Sequence, residues 1–238
     1  METTKTKYNY YSMLNGKISR TFKEKPSDVE TVTRTNKSGN VVYDQHFDNL
    51  QEVMMTGVRM KTDDYGEWLE IKFNSDAYGA SIFTIGITSG YYRSFMERLP
   101  NIDLNYPVTI NAWELTTDNG NIKRGLWFSQ NNHKVEKYYT KETPNGLPQP
   151  KVVVVNKKNV YDWTDQLNFY EEVLKGKFTE FSKNDYSTAG KEAFNSQKEE
   201  GYVNNHTEFA KSQEGKSTQK TPIDIPVIVD DEKLPWEQ

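Results

Sequence analysis

The sequence predicts an all-β fold, β-rich with one or two short helices. Aromatic and β-branched residues dominate the first 140 of its 238 positions, as is typical of strands. Asp, Asn and Gly clusters recur between these runs and predict tight turns. A helical spacing of apolar residues appears at only a few places, so short helices are expected beside many strands.

The first three strands of the predicted body follow each other closely. Val53–Thr62 and Glu67–Asn74 are alternating runs separated by an Asp/Gly cluster, which indicates a hairpin. Ser81–Ile87 is rich in Ile and Thr and predicts the third strand.

A helix and a second hairpin complete that body. Residues 91–99 carry apolar side chains at helical spacing, begin after Ser89-Gly90 and end at Pro100. Pro107–Thr116 and Asn121–Gln130 then flank an Asp-Asn-Gly turn. Five strands with a helix between the third and fourth is the element order of an OB-fold-like five-stranded barrel.

Further elements lie outside these five strands. Tyr8–Ser19 and Val41–Phe47 are expected to be extra N-terminal strands. The valines of 152–155 are expected to complete an edge of the body, since an unpaired run of this kind promotes aggregation. A C-terminal helix is expected to begin near Asp162 or Thr164 and to bury a face that includes Leu174.

Composition divides the chain into three parts. Residues 1–180 form the predicted body, with the N-terminal extension and the C-terminal helix included. Residues 181–220 are rich in Ser, Asn, Gln, Lys and Glu and are expected to be a disordered linker. Residues 221–238 form an acidic tip, so the chain is expected to end in a disordered acidic tail.

The formal net charge of −4 is distributed unevenly. Residues 1–160 hold 21 basic and 18 acidic side chains, a net of +3, and residues 161–220 have a net of −3. The tip, residues 221–238, has a net of −4. A mildly basic body with an acidic end is typical of proteins with interaction tails or nucleic-acid partners.

Motifs of catalysis and of cofactor binding are not found in the sequence. The chain has no cysteine, and its three histidines, His46, His133 and His206, do not have metal-ligand spacing. Phosphate-binding glycine loops and nucleophile elbows are also missing. We therefore expect neither an enzyme nor a bound metal or cofactor.

The sequence also bears on location. No apolar run is long enough to cross a membrane, and the N-terminus lacks the apolar region of a secretory signal. A cytoplasmic protein without membrane partners is expected.

Strand alternation places basic and aromatic residues together on the face opposite the apolar one. In the first predicted strand Arg59 and Lys61 point outward, and in the second Trp68 and Lys72 do so. An outward tryptophan beside lysine and arginine suits single-stranded nucleic acid, whose bases stack on aromatic rings while cations contact the phosphates. The predicted DNA contacts are Arg59, Lys61, Trp68, Lys72, Lys123, Arg124 and Trp127, with Tyr43, Tyr91, Tyr92 and Arg93 as further candidates.

Two structural alternatives apply to these candidates. Trp68 and Trp127 could pack beneath the N-terminal strands or the C-terminal helix. The tyrosines could belong to the core or cap the first helix, and alternating lysines also occur on ordinary solvent-facing strands.

The tip has the composition of a peptide ligand. Its acidic triplet would steer it toward a basic surface, and its tryptophan would be the anchor in a partner pocket. Packing of the tail on its own body, or a strand through Ile223–Val229, is the alternative. The predicted partner-binding residues are Asp230, Asp231, Glu232, Leu234, Pro235 and Trp236.

The tip and the OB-like order together resemble single-stranded DNA-binding proteins of the bacterial and bacteriophage replication type. In the bacterial members an Asp-rich tip ends in an apolar residue, Pro and Phe; here Asp230-Asp231-Glu232 precedes Leu234-Pro235-Trp236. The chain departs from them in its tryptophan, in Lys233 within the motif and in Glu237-Gln238 after it. The extra N-terminal strands favour a divergent phage protein.

The resemblance implies a protein that coats and protects single-stranded DNA during replication, recombination and repair. Its tip would recruit replication or recombination proteins, and its location would be the bacterial host cytoplasm. RNA is an open alternative ligand. Two other classes remain: a phage structural or host-interaction β-domain without nucleic-acid binding, and an enzyme or carbohydrate-binding β-domain that stacks sugars on its aromatic residues.

Overall fold

The structure is a computed structural model that describes residues 7–36, 38–155 and 158–187. The predicted tip and residues 188–220 of the predicted linker lie outside the described residues. All the described residues belong to one compact unit, which is the body of the protein.

The described residues are β-rich with two α-helices, as the sequence predicts. The elements in chain order are β1 (Asn9–Leu14), β2 (Lys17–Phe22), β3 (Val32–Thr35), β4 (Val41–Phe47), β5 (Asn49–Asp63), β6 (Gly66–Asn74), β7 (Ser81–Gly86), α1 (Gly90–Arg98), β8 (Val108–Thr116), β9 (Ile122–Gln130), β10 (His133–Lys134), β11 (Lys151–Val155), β12 (Lys158–Asp162), α2 (Thr164–Lys177) and β13 (Phe181–Asp185). A short 3₁₀ turn, Leu99–Asn101, follows α1.

One mixed sheet contains eleven of these strands. Its order is β10-β9-β8-β5-β6-β7-β1-β2-β4-β3, and β13 pairs with β5 off this path. The β1–β7 and β13–β5 pairs are parallel, whereas the other pairs of this sheet are antiparallel.

The long strand β5 joins the two halves of the body. Its first residues, from Asn49 to Val53, pair with β8, and its residues from Met54 to Asp63 pair with β6. Irregular register within both pairings bends the strand away from a straight path. Strands β5 to β9, with α1 between β7 and β8, therefore have the predicted OB-like element order.

The predicted barrel closure does not occur among the described residues. Strand β7 pairs with β1 on its second side, and β9 pairs with the short β10. The N-terminal strands thus occupy the edge at which a five-stranded barrel would close, and the sheet stays open.

The first N-terminal strand is a hairpin instead of the single strand predicted over Tyr8–Ser19. Asn15 and Gly16 separate β1 from β2 with φ of 48° and 77°. These left-handed angles are those of a two-residue hairpin turn, for which Asn-Gly is the favoured sequence. A Cβ at Gly16 would lie 2.5 Å from Cβ of Glu114, so glycine is also needed for close packing on β8.

Helix α1 packs against β9 and β7 of the sheet, and α2 packs against α1 through Tyr170 and Tyr92. The side chain of Ser89 accepts a hydrogen bond from the Tyr92 backbone N–H and caps α1, and Phe95 packs 5.9 Å from Phe128 between ring centroids. Leu174, on the predicted apolar face of α2, is fully buried. Neither helix is long and apolar enough to cross a membrane.

The body extends beyond the boundary predicted at residue 180. Residues 181–185, assigned by composition to the linker, form β13 in parallel with Val58–Thr62 of β5. Phe181 packs against the core, and Lys183 Nζ lies 2.7 Å from Glu171 Oε2 of α2. A free edge of β5 and a nearby helix therefore order a segment that is too polar to be predicted as a strand.

The valines of 152–155 do not complete an edge of the body. They belong to β11, which pairs with β12 in a separate two-stranded sheet. The register joins Lys151 to Asp162 and Val153 to Val160.

Candidate nucleic-acid interface

The outward surface of β5 and β6 brings together four of the predicted contacts. We call this surface the strand face and define it by Arg59, Lys61, Trp68, Glu70 and Lys72. Arg59 lies opposite Glu70, and Lys61 lies opposite Trp68. The residues that alternate with them are buried in the core: Val58, Met60, Leu69, Ile71 and Phe73. Period-two alternation thus accounts for the side on which each residue lies.

Trp68 is held in a defined position on the strand face. Its ring packs on Gly86 of β7, where an added Cβ would lie 3.5 Å from ring atom Cζ3. Its indole Nε1 donates a hydrogen bond of 3.0 Å to Asp63 Oδ1. Asp63 Oδ2 lies 2.7 Å from Lys61 Nζ. A half-buried ring with a fixed orientation is suited to stacking on a planar ligand.

The basic side chains of the strand face all have acidic partners. Arg59 Nε donates a hydrogen bond of 2.7 Å to Glu70 Oε2, and Glu70 is buried. Lys61 pairs with Asp63, and Lys72 Nζ lies 3.1 Å from Glu180 Oε2, just before β13. The sequence predicts the cations but not these partners, so the surface is an ion-paired one and not an open cationic groove.

Tyrosines that sequence reasoning did not single out surround the strand face. Tyr65 occupies the β5–β6 turn and is 88% exposed, while Tyr10 on β1 and Tyr186 after β13 are also exposed. Burial alone would lower the pKa of Arg59. The hydrogen bond to Glu70 and the charge of Glu70 outweigh this, with further contributions from Tyr186 and Tyr10, so the pKa of Arg59 is raised overall. The sequence did contain a signal for the exposure of Tyr65: it lies between Asp64 and Gly66, in a predicted turn, and turns lie at the protein surface.

The predicted contacts on β9 lie elsewhere in the sheet. Trp127, opposite Asn111, and Lys123, opposite Leu115, point to one side of the β8–β9 pair. Arg124 lies on the other side and donates a hydrogen bond of 2.7 Å from Nε to Glu114 Oε2. Strand β8 pairs only with the first part of β5, so these residues do not extend the strand face.

Tyr91 and Tyr92 are core residues and not exposed stacking groups. Their exposed fractions are 7% and 1%, and Tyr92 packs edge-on against Tyr170 of α2 with ring centroids 6.0 Å apart. Burial is the main cause that raises the pKa of both tyrosines. Their position at the start of α1 suggested that they bind a ligand, but both are buried, Tyr92 against Tyr170 of α2.

The remaining predicted contacts are separate from the strand face. Arg93 Nε donates a hydrogen bond of 3.0 Å to Glu97 Oε1, and its guanidinium lies 5.6 Å from the Trp163 ring centroid. Tyr43 is half-buried on β4, between β2 and β3. The predicted partner-binding residues lie outside the described residues.

In the part of the chain that the structure describes, no group of three or more His, Asp or Glu side chains is placed to hold a metal ion.

Comparison with family models, curated proteins and solved structures gave no match for the chain.

The Asp63 carboxylate makes the Trp68 position sensitive to acid. Hydrogen bonding to Lys61 is the largest cause that lowers the pKa of Asp63; desolvation opposes it, and the Trp68 and Tyr65 N–H groups add to the lowering. Because the folded-state pKa lies below that of the unfolded chain, the stabilisation is present above about pH 4 and is lost as the pH falls through the folded value.

We expect wild-type protein to be more stable than the Asp63→Asn variant at pH 7 and the difference to shrink by about pH 3. Urea unfolding of both proteins at the two pH values measures it. An equal difference at both pH values would show that the Asp63 charge does not contribute.

Proposed function

We propose that the protein binds single-stranded DNA through the strand face. The observation that carries this proposal is Trp68, a positioned indole on the outward side of the sheet with Arg59, Lys61 and Lys72 around it. OB-folds bind oligonucleotides on the face of their second and third strands. In the OB-like order the second strand is β6, which carries Trp68 and Lys72, and the Trp68 ring packs on Gly86 of the third strand, β7. Exposed Tyr10, Tyr65 and Tyr186 offer further rings for stacking.

The ion pairs decide how such binding would respond to salt. A phosphate that contacts Arg59, Lys61 or Lys72 must share the cation with Glu70, Asp63 or Glu180, or displace that acid. Three phosphate contacts to a single strand limit the slope of log K against log salt to about −2. Binding would therefore depend on stacking at least as much as on charge.

The biological role follows from the resemblance of the tip and the OB-like order. The protein would coat and protect single-stranded DNA in replication and recombination, in the cytoplasm of a bacterial host. The tip, residues 221–238, would recruit replication or recombination proteins, with Trp236 as its anchor. Its net charge of −4 would guide it to basic surfaces.

A titration of tryptophan fluorescence with oligo-dT tests the proposal. We expect quenching that is saturable, is reversed by salt with a slope no steeper than about −2, and extends to any base sequence. Parallel titrations with oligo-U and with oligosaccharides assign the ligand class. Quenching by oligosaccharide alone, or by neither ligand, would contradict the proposal and favour a sugar-binding or a structural β-domain.

The exposed Lys72–Glu180 pair allows a substitution that is expected to increase the affinity for single-stranded DNA. We expect Glu180→Gln to tighten oligo-dT binding about two- to fivefold at low salt, because Lys72 loses its competing carboxylate. The fold should tolerate the change, since exposed ion pairs add little stability.

Glu172→Gln is the matched control for this test. It removes the same charge from another exposed lysine pair, Lys175–Glu172 on α2. Equal tightening by both variants would mean that net charge, and not Lys72, governs affinity.

A further inference from the structure

The two-stranded sheet of β11 and β12, which we call the ribbon, exposes apolar side chains on both faces. Val154 is 68% exposed, and among the described residues neither strand pairs with any strand outside the ribbon. Successive side chains in a strand alternate between faces, so the run of valines places apolar groups on both. The exposed apolar residues of the ribbon are Val152, Val153, Val154, Val160 and Tyr161.

The contacts with the body that the described residues show lie at the base of the ribbon. Lys151 Nζ lies 2.7 Å from Asp165 Oδ2 of α2, and Asp162 Oδ1 accepts a hydrogen bond of 2.9 Å from the Thr164 backbone N–H. An isolated two-stranded hairpin is marginally stable in water, whereas three or more strands with an apolar face are stable. The ribbon therefore has the features of an edge that another strand completes.

The sequence of β12 is complementary in charge to itself. It reads Lys158, Asn159, Val160, Tyr161, Asp162. If two copies run antiparallel about a two-fold axis at Val160, position 158 of each lies opposite position 162 of the other. At each end of the pair, Lys158 of one copy then faces Asp162 of the other. Opposite charges in facing positions stabilise antiparallel pairs.

No such complementarity exists for β11, Lys151–Val155, whose only charge is at its first residue. Two copies of β11 in the same arrangement would set lysine opposite valine. The charge pattern therefore favours β12, and not β11, as the strand that pairs with the same strand of a second copy.

We propose that the protein forms a homodimer in which two β12 strands pair antiparallel. The resulting four-stranded sheet has the order β11-β12-β12-β11, and Val160 of each copy meets Val160 of the other on the axis. The interface is isologous, so it closes after two copies and does not propagate into a filament. On one face of this sheet Val153 and Val160 of the two copies lie side by side, in place of two separate marginal ribbons.

Sedimentation velocity of the full chain, without nucleic acid, tests the dimer from about 1 to 100 μM. We expect a dimer in wild-type protein, and we expect Lys158→Asp to raise its dissociation constant about tenfold or more, because both end pairs become Asp–Asp. Asp162→Lys should have a similar effect through two Lys–Lys pairs. Lys25→Asp, in the exposed segment before β3, is the control for net charge.

Mixing the two variants separates charge pairing from damage to the fold. In an equimolar mixture of Lys158→Asp and Asp162→Lys, both end pairs of the heterodimer are again opposite in charge. We expect the mixture to form dimers at concentrations where each variant alone is monomeric.

Three results would overturn the proposal. They are a wild-type monomer throughout the concentration range, a dimer that Lys158→Asp leaves intact, and a dimer that appears only after residues 221–238 are deleted. The last would assign the ribbon to the chain's own tail. None of these measurements involves nucleic acid, so the dimer and the DNA-binding proposal fail or succeed independently.

Discussion

Replacing Trp68 with alanine is expected to weaken oligo-dT binding about tenfold or more. Stacking contributes about 1–3 kcal/mol per base, and Trp68 is the one tryptophan of the strand face. Its loss also releases the hydrogen bond to Asp63 and with it the arrangement of Lys61. Trp68→Phe keeps a ring without the indole N–H and should bind with intermediate affinity.

Trp127→Ala is the matched control for this substitution. Trp127 is also a half-buried tryptophan on the outward side of a strand, but it lies on β9, away from the strand face. We expect its affinity for oligo-dT to stay within about twofold of wild type, as measured by fluorescence anisotropy of labelled DNA. If Trp127→Ala loses affinity and a folded Trp68→Ala does not, the interface lies on β8 and β9.

Replacing Tyr92 with alanine is expected to destabilise the body by about 3–5 kcal/mol. Large-to-small substitutions of fully buried aromatic residues have costs of this size, and Tyr92 is 1% exposed between α1 and α2. The loss would remove its contact with Tyr170 and leave a cavity beneath α2. Urea unfolding followed by circular dichroism measures the change.

Tyr92→Phe is the companion variant, because the buried Tyr92 hydroxyl has no hydrogen-bond partner among the described residues. Removal of an unsatisfied buried group is neutral or stabilising, so the phenylalanine variant should be at least as stable as wild type. It should also bind oligo-dT unchanged. Loss of DNA affinity in a stable Tyr92→Phe protein would return this residue to the interface.

The placement of Trp68 follows from local information. The alternation of Leu69, Ile71 and Phe73 with polar residues in β6 is strong enough to predict both faces of the strand. The helical spacing in α2 similarly predicts the burial of Leu174. Local patterns of this kind predict which side of an element is buried, but not what covers the other side.

Contacts between distant parts of the chain account for what the sequence did not predict. Lys72 meets Glu180, which is 108 positions away, and Tyr92 is covered by α2. Strand β1 takes the edge of β7 at which the barrel would close. The polar β13 is a strand only because β5 offers it a free edge. Each of these pairings depends on the tertiary arrangement, and no period in the sequence encodes it.

The ion pairs of the strand face change the physical picture of the proposed site. The local cluster of Arg59, Lys61 and Lys72 with Trp68 suggested a cationic groove that attracts phosphates by charge. With Glu70, Asp63 and Glu180 beside the three cations, the face is nearly neutral and orders its side chains before any ligand arrives. Ordered side chains lose less entropy on binding, which favours the stacking contribution over the electrostatic one.

Photo-crosslinking to an oligonucleotide that contains 5-iodouracil tests the location and the existence of binding together. Mass spectrometry of the digested complex identifies the aromatic residues that touch the bases. The proposed interface predicts adducts at Trp68 and at the surrounding Tyr10, Tyr65 or Tyr186, which salt and unlabelled oligo-dT reduce. Adducts confined to Trp127 or Trp163, or none at a concentration that saturates the protein, would contradict binding at the strand face.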